Sequence, residues 1–325
     1  MWCKVFIDAF RIGGVVLAVS VVIISYNRPD EIRRNISELL YELNPEVEVV
    51  VVDNNSEIPV RSVLVEFRDR IKIIEMDRNV GVAARNTGVQ HATGEIVITL
   101  DDDVFGLTAH DVQLIKEQFQ EKESMAAINF RVIDDLTEKQ INWCHRRHLN
   151  EWGGKEFSTY EISEGAVAYR RQAFLDAGMY PAYFFISHEG PDVALALMNM
   201  DWDVVYCPDI TVRHAHSMGG RPGWRRYYYD TRNMVWLGVR RYPLALFLRK
   251  VPLHLMAMFF YSLRDGYLSF YFKALYDSAR RLSEVKKDRQ YISKRTYQRF
   301  KEIERYNPTL FYMIRKRVFK REVSI

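Results

Sequence analysis

Cysteine is scarce in this chain. Three in 325 residues (Cys3, Cys144 and Cys207) are too few and too widely spaced for a disulfide framework or a metal knuckle, so reduced thiols in a cytoplasmic setting are the simplest reading. The segment Trp143-Cys144-His145-Arg146-Arg147-His148 offers zinc-type ligands but lacks the second ligand pair of a structural zinc site. No GxGxxG follows the first apolar segment and no GxxxxGK[ST] occurs anywhere, which argues against a dinucleotide fold and a P-loop. Long apolar runs are also missing. Ile12–Ile24 is apolar for thirteen positions apart from Ser20, too short to span a bilayer; no small-residue cleavage site follows it, and Tyr26-Asn27-Arg28-Pro29 reads as a turn into a helix. There are no internal repeats or low-complexity tracts.

What is present is an ordinary globular composition, 48% hydrophobic and 27% charged, with an unusual distribution of sign. Residues 221–325 carry 25 Lys and Arg against 8 Asp and Glu, whereas the first 220 carry 21 basic and 34 acidic residues. An acidic body is followed by a basic tail, which bears on partners rather than on fold.

After a short preface (1–14), apolar strand patterns alternate with helical ones. Strands are expected at Val15–Ile24, Glu48–Val52, Ile71–Glu75, Gly94–Leu100 and Ala126–Arg131, with helices opening at Pro29 and running over about 59–67, 80–90 and 108–122. Four buried strands alternating with helices within about a hundred residues mean an open, mostly parallel, doubly wound α/β sheet. Beyond it, 163–171 is strand-like and followed by a short helix, a helix is expected over Val193–Met200 and a strand over Val204–Cys207. The Gly/Pro-rich stretch Gly219-Gly220-Arg221-Pro222-Gly223 marks a boundary. The chain thus divides into a body, 15–220, with halves 15–131 and 132–220, and an extension, 221–325.

Ligands bind outside the carboxyl ends of the strands in such sheets. Three polar clusters fall there: Ser25-Tyr26-Asn27 after strand one, Asp53-Asn54-Asn55-Ser56 after strand two, and Asp101-Asp102-Asp103 after strand four. Three adjacent carboxylates repel one another, and their burial costs free energy unless a cation or strong donors offset it. With no phosphate-binding glycine loop, carboxylates sharing Mg²⁺ or Mn²⁺ with substrate phosphates are the obvious alternative.

Four segments occur in order: Val19-Ser20-Val21-Val22-Ile23-Ile24-Ser25-Tyr26-Asn27-Arg28-Pro29, Val50-Val51-Val52-Asp53-Asn54-Asn55-Ser56, Asn79-Val80-Gly81-Val82-Ala83-Ala84-Arg85-Asn86-Thr87-Gly88, and Leu100-Asp101-Asp102-Asp103. Together, over about 15–240, they resemble the family 2 glycosyltransferases with a GT-A nucleotide-sugar-binding fold, the rhamnosyltransferase-like members being nearest in appearance. The resemblance implies that Asp53 accepts a hydrogen bond from a uracil or thymine ring N–H, that Ser25, Tyr26 and Asn27 line the nucleoside, and that Arg85 and Asn86 shape the donor pocket. Asp103 is the first choice for direct metal contact, with Asp101 nearer the ribose or a metal-bound water; Asp102 can replace either. His214, or alternatively His216, stands where relatives carry a metal- or phosphate-contacting histidine. Glu164-Gly165 matches a segment lining the acceptor side of the sugar, and Trp152 is a candidate sugar-stacking platform.

The same resemblance places a catalytic base at the start of the Val193–Met200 helix, commonly as two adjacent acids and then an Asp. Here the stretch reads His188-Glu189-Gly190-Pro191-Asp192, so the second acid is missing. Glu189 is the first choice for the base and Asp192 the second. The implied activity is metal-dependent, inverting, non-processive transfer from a UDP- or dTDP-sugar to a lipid-linked or glycan acceptor. The missing acid keeps open a catalytically inactive binding or scaffold protein of the same fold. A nucleotidyltransferase would need a triphosphate-gripping loop after strand one, which Ser25-Tyr26-Asn27-Arg28 is not. A processive synthase would bring a Gln-x-x-Arg-Trp motif, of which Gly223-Trp224-Arg225-Arg226-Tyr227 is only a loose echo.

In the extension, 243–275 is rich in Leu, Phe, Met and Tyr, and its longest uncharged run, Val251–Leu263, is thirteen residues. It suits an interfacial helix with basic side chains toward anionic lipid, hence a cytoplasmic protein peripheral on the inner face of the cell membrane. The alternatives are a helical bundle packed on the body or a homodimer contact. No nucleic-acid-binding module accompanies the charge.

Overall fold

The computed structural model describes residues 17–215, 223–309 and 312. Nine strands form one sheet: β1 (Val19–Ser25), β2 (Glu48–Asp53), β3 (Lys72–Glu75), β4 (Ile96–Asp101), β5 (Val104–Phe105), β6 (Met125–Asp134), β7 (Phe157–Ser158), β8 (Ala166–Arg170) and β9 (Asp203–His214). Their order is β3-β2-β1-β4-β8-β6-β9-β5, with β7 paired to β9. The run β3-β2-β1-β4 is parallel, as the alternation of strands and helices implies. Register aligns Ser25 with Asp53 and Ile24 with Asp101, so the three polar clusters emerge side by side at one edge.

The buried valines and isoleucines serve both faces. Val21, Ile23, Val49 and Val51 enter one core and Val22, Val50 and Val52 the other, as the two-residue period of a strand requires. Helix Pro29–Glu42 lays Ile32, Ile36 and Leu39 on the first of these cores. Thr108 caps helix Ala109–Glu121 in a reciprocal pairing with Asp111.

Several elements differ from the sequence expectation. The segment expected as one helix over 59–67 is a helix, Val60–Val63, followed by a 3₁₀ turn, Val65–Phe67. A 3₁₀ turn, Gly81–Ala83, opens the helix Ala84–His91. β9 joins the expected strand 204–207 to the segment ending at His214, with an irregularity where Phe130 and Arg131 pass Cys207 and Thr211. β8 runs antiparallel between β4 and β6, and this reversal brings Glu164 and Gly165, just before it, to the end of β4. The helix expected from Val193 begins at Glu189, which places both Glu189 and Asp192 in its first turn.

Helix Glu189–Asn199 is buried along most of its length and packs between the sheet and helix Trp224–Arg241. Among the described residues four further helices follow: Leu244–Arg264, Leu268–Arg280, Leu282–Lys287 and Lys294–Glu304. Trp236 and Phe300 are fully buried in the same core as Val193–Met198, each side chain contributing about 2–3 kcal/mol by area. The proposed boundary at 219–223 lies outside the described residues apart from Gly223.

The strongest tie between body and extension is ionic. Asp192, fully buried, accepts from Arg240 Nε at 2.8 Å and Nη2 at 3.1 Å, and from Arg241 Nη2 at 2.9 Å. Burial alone would raise its pKa, but the two guanidiniums outweigh burial and hold the carboxyl below its usual range. The stabilisation this gives is present above the ordinary carboxylate pKa and fades as pH falls through the depressed one. Asp192→Ala leaves two buried guanidiniums without their counter-charge and is expected to cost about 3–5 kcal/mol in urea unfolding at neutral pH; a loss below about 1 kcal/mol would contradict this assignment.

Candidate active site

The cleft at the strand ends has a volume of about 490 Å³. Asp101 and Asp102 line it and Asp103 does not, so the three acids are not equivalent. Asp102 is buried; it accepts from Ser25 Oγ at 2.9 Å and Arg28 Nη1 at 2.9 Å. Burial, opposed by Arg28, pushes its pKa up to about 6. Asp103, also buried, pairs with Arg28 and faces His214 Nε2 at 3.4 Å. Burial would raise this carboxyl, but His214 and Arg28 outweigh it and bring it below its usual range. Asp101 is half-buried, lines the cleft and pairs with the fully buried Arg85. Asn35 locks the turn by donating to the carbonyls of Asp101 at 3.2 Å, Asp102 at 3.2 Å and Val104 at 2.7 Å.

These donors suit a divalent cation. Asp103 Oδ1 is shielded from solvent without a well-aligned hydrogen bond, and carboxylates with one imidazole form the oxygen-rich mixed set that Mn²⁺ accepts. Space around Asp101 is tight: a Cβ on Gly165 would stand 2.4 Å from Asp101 Oδ2, so only glycine lets the carboxylate occupy this position.

The opposite wall carries two more acids, the half-buried Glu164 and the buried Glu189. Burial pushes Glu189 up to about 8, and the neighbouring Glu164 carboxyl adds to the effect. Burial likewise pushes Glu164 up to about 7. Glu189 Oε2 has no hydrogen-bond partner. Gly190 explains the missing second acid in physical terms: a Cβ there would lie 2.5 Å from Glu164 Oε1. The Glu164 carboxyl fills the space beside the helix start that a side chain at 190 would need.

The loop leading into Glu189 is strained. Phe185, Ser187 and His188 all have positive φ (68°, 80° and 68°), which is costly for residues other than glycine. Two grips hold it. Val82 N donates to Phe185 O at 2.8 Å, and Asn233 Nδ2 donates to the carbonyls of Phe184, Ile186 and Ser187 at 2.8–2.9 Å. Asn233, on helix Trp224–Arg241, has no motif around it that could have marked it in the sequence. Arg28, Asn54 and Asn79 also line the cleft. They stand inside the quoted segments or beside them, where adjacency to the strand ends was the available signal.

Of the sequence-expected residues, Tyr26, Arg85, Asp101, Asp102, Glu164, Gly165 and Glu189 meet in the cleft. Others are turned to structural work. Asp53 accepts from Ser56 N at 2.8 Å and Val60 N at 2.9 Å, capping a loop and a short helix, while its neighbour Asn54 takes the lining position. Ser25 faces Asp102, not the open cleft. Asn27 ties the loops after β1 and β2 together, accepting from Glu57 N at 2.8 Å. Asn86 clamps the backbone of Tyr180 in both directions, at 2.8 and 3.1 Å. Asp192 is not brought to the cleft, being committed to Arg240 and Arg241. Trp152 lies under Arg147 in a separate aromatic cluster with Phe157 and Tyr306, away from this cleft. His145 is packed among Trp143, Phe157 and Tyr206, its pKa driven down to about 3 by burial. His216 and Cys3 lie outside the described residues.

Residues 20–178 match the glycosyl transferase family 2 domain. The match spans just under half of the chain. Among curated relatives, the uncharacterized glycosyltransferase alr2836 of Nostoc sp. is 32% identical over 131 residues, 39% of this chain and 40% of that protein. The UDP-Glc:alpha-D-GlcNAc-diphosphoundecaprenol beta-1,3-glucosyltransferase WfgD of Escherichia coli is 36% identical over 87 residues, 26% of this chain and 34% of that protein. The O-antigen chain rhamnosyltransferase WbaN of Salmonella anatum is 21% identical over 202 residues, 58% and 62% of the two chains. The matched segment thus spans well under half the length of the first two. Solved structures match more of the chain. S. aureus TarS 1–349 in complex with UDP-GlcNAc has a TM-score of 0.60 at 17% identity, covering 89% of each chain. Mannosyltransferase PcManGT from Pyrobaculum calidifontis, in complex with GDP-Man and Mn²⁺, has a TM-score of 0.52 at 18% identity, covering 95% of this chain and 89% of that one. The shared fold is GT-A, a mostly parallel sheet with the helical C-terminal region beside it.

Gly165→Ala forces Asp101 aside. With overpacking at about 1–3 kcal/mol, Mn²⁺ affinity measured by calorimetry is expected to fall about tenfold or more; unchanged affinity would mean that Asp101 is not a ligand.

Proposed function

We propose that this protein is a metal-dependent, inverting, non-processive glycosyltransferase. It moves a sugar from a UDP- or dTDP-sugar to a lipid-linked or glycan acceptor at the inner face of the membrane. The observation that carries this reading is a single cleft holding an aspartate edge on one wall and a buried, proton-hungry Glu189 on the other. TarS with UDP-GlcNAc and PcManGT with GDP-Man and Mn²⁺ support a nucleotide-sugar donor and a divalent metal, and WfgD supports a lipid-linked acceptor. The rhamnosyl variant draws only on WbaN.

Asp101, Asp103 and His214 would hold Mn²⁺ or Mg²⁺, which when bound neutralises charge on the leaving diphosphate. Arg85 pairs with Asp101 and orients its carboxylate. Tyr26 and Asn54 line the nucleoside side. Glu189 takes the proton of the acceptor hydroxyl as its oxygen attacks the anomeric carbon. The bond to the diphosphate then breaks on the opposite face, and one such displacement inverts the centre. Glu164 pushes the pKa of Glu189 up and makes it a stronger base.

Glu189 acts only when deprotonated. With its pKa near 8, kcat is expected to climb with pH and level off above about 8; a flat profile between pH 6 and 9 would remove Glu189 from the step. Glu189→Gln should lower transfer about 10²–10⁴-fold while nucleotide binding persists. Equal activity in the variant would favour another base, and an inactive wild type that still binds nucleotide would favour the scaffold reading.

The membrane part of the proposal rests on helix Leu244–Arg264. The uncharged run within it is thirteen residues, but the helix itself is 21 residues, long and apolar enough by length and composition to cross a bilayer, with only 17% of its most apolar window buried. Leu244, Leu248, Met256, Phe260 and Leu263 are exposed at three- to four-residue intervals (or multiples), forming a stripe, with Arg249, Lys250 and Arg264 alongside. That pattern fits a helix lying in the interface. Because Phe300 and Thr296 are buried against the body, substitution is a cleaner test than truncation. Leu248→Glu/Met256→Glu/Phe260→Glu is expected to abolish co-sedimentation with anionic liposomes, and equal pelleting of the variant would refute membrane docking by this face.

A further inference from the structure

A second constellation starts at the end of the strained loop, where His188 also lines the cleft, and uses none of the residues assigned to the donor or the base. His188, at the end of that loop, Asp230 on helix Trp224–Arg241 and His254 on helix Leu244–Arg264 converge from three separate elements. One ligand atom from each lies within 4.8 Å of the others. His188 Nε2 is 2.8 Å from Asp230 Oδ1, and His254 Nε2 is 3.7 Å from Asp230 Oδ2. All three side chains are largely shielded from solvent.

The geometry points to a transition-metal site, of the Zn²⁺ class, formed by His188, Asp230 and His254 and distinct from the aspartate edge. Two imidazoles and one carboxylate are a zinc donor set, and ligand atoms around tetrahedral Zn²⁺ stand about 3.3 Å apart for bonds of about 2.0–2.2 Å; the two observed separations bracket that spacing. His188 Nε2 is shielded from solvent and faces the Asp230 carboxylate at 2.8 Å, the spacing of two groups that could share one cation. The ring is preset by a left-handed backbone at φ 68°, which Asn233 stabilises through the carbonyl of the preceding residue at 2.8 Å. Ser187 Oγ donates to Asp230 Oδ1 at 3.1 Å, an outer contact of the kind that orients a ligating carboxylate.

Three protein ligands leave one coordination position open. Ser187 and Asp230 also line a second cavity of about 670 Å³ with Arg225, Arg226, Tyr229 and Tyr267, so water or an anionic oxygen has room to complete the shell. A metal here would staple the loop that presents Glu189 to two C-terminal helices. The inference stands whether or not the chain transfers a sugar.

The test is Zn²⁺ titration of the full chain by calorimetry in excess Mg²⁺, which saturates oxygen-rich sites but competes poorly for imidazole. Thermal unfolding with and without Zn²⁺ is followed in parallel. One Zn²⁺ per chain is expected, with affinity reduced at least 100-fold in His254→Ala and little changed in Asp101→Asn/Asp103→Asn. Zn²⁺ should raise the melting temperature of the wild type but not of His254→Ala, and the metal-free melting temperature of the variant reports whether it folds. Should His254→Ala not fold, His188→Gln serves as the second variant. Absence of Zn²⁺ binding, binding that survives both histidine substitutions, or binding lost in the aspartate variant would overturn the proposal.

Discussion

Five carboxyl groups line one cleft, Asp101, Asp102, Glu161, Glu164 and Glu189, with Asp103 buried beside them against Arg28. Their mutual repulsion and desolvation are the constraint that the surrounding structure answers. Arg28 is shared between Asp102 and Asp103, Arg85 pairs with Asp101, and His214 closes on Asp103. On the opposite wall burial outweighs the pull of Arg85, and Glu164 and Glu189 hold their protons toward neutral pH. An edge paired with Arg28, Arg85 and His214 faces two acids whose pKa values are raised. On the proposed reading, that asymmetry divides donor binding from base chemistry.

The C-terminal helices take part in this division. Arg240 and Arg241 withdraw Asp192 from the cleft, which leaves Glu189 as the acid of the first turn that faces it. Asn233 holds three carbonyls of the loop whose left-handed residues aim Glu189 and His188. Backbone strain near the chemistry is thereby offset by hydrogen bonds from a helix remote in sequence. Gly190 belongs to the same arrangement, because it cedes its side-chain space to Glu164.

Much of the donor edge was legible in the sequence. β1, β2 and β4 are continuous β-branched runs ending in polar residues, and parallel register converts that pattern directly into adjacency. The roles within the edge were less legible. Asp53 and Asn86 look like ligand contacts by type and position, yet each satisfies nearby backbone amides or carbonyls, a local choice that a linear pattern does not reveal. The antiparallel entry of β8 could not be read from its residues, since a buried strand has the same composition in either direction. The Asp192–Arg240–Arg241 triad joins residues 48 and 49 positions apart, and the His188–Asp230–His254 cluster residues 24 to 66 apart, through tertiary packing alone.

The central claim is that the aspartate edge binds a nucleotide-sugar diphosphate through a divalent cation, opposite Glu189. A crystal structure of the protein with UDP and Mn²⁺, with anomalous data for the metal, tests it most directly. A manganese peak about 2.0–2.3 Å from carboxylate oxygens of Asp101 and Asp103 is expected, with the diphosphate in the cleft beside Arg85. A manganese peak away from these carboxylates, or UDP bound outside the cleft, would contradict it.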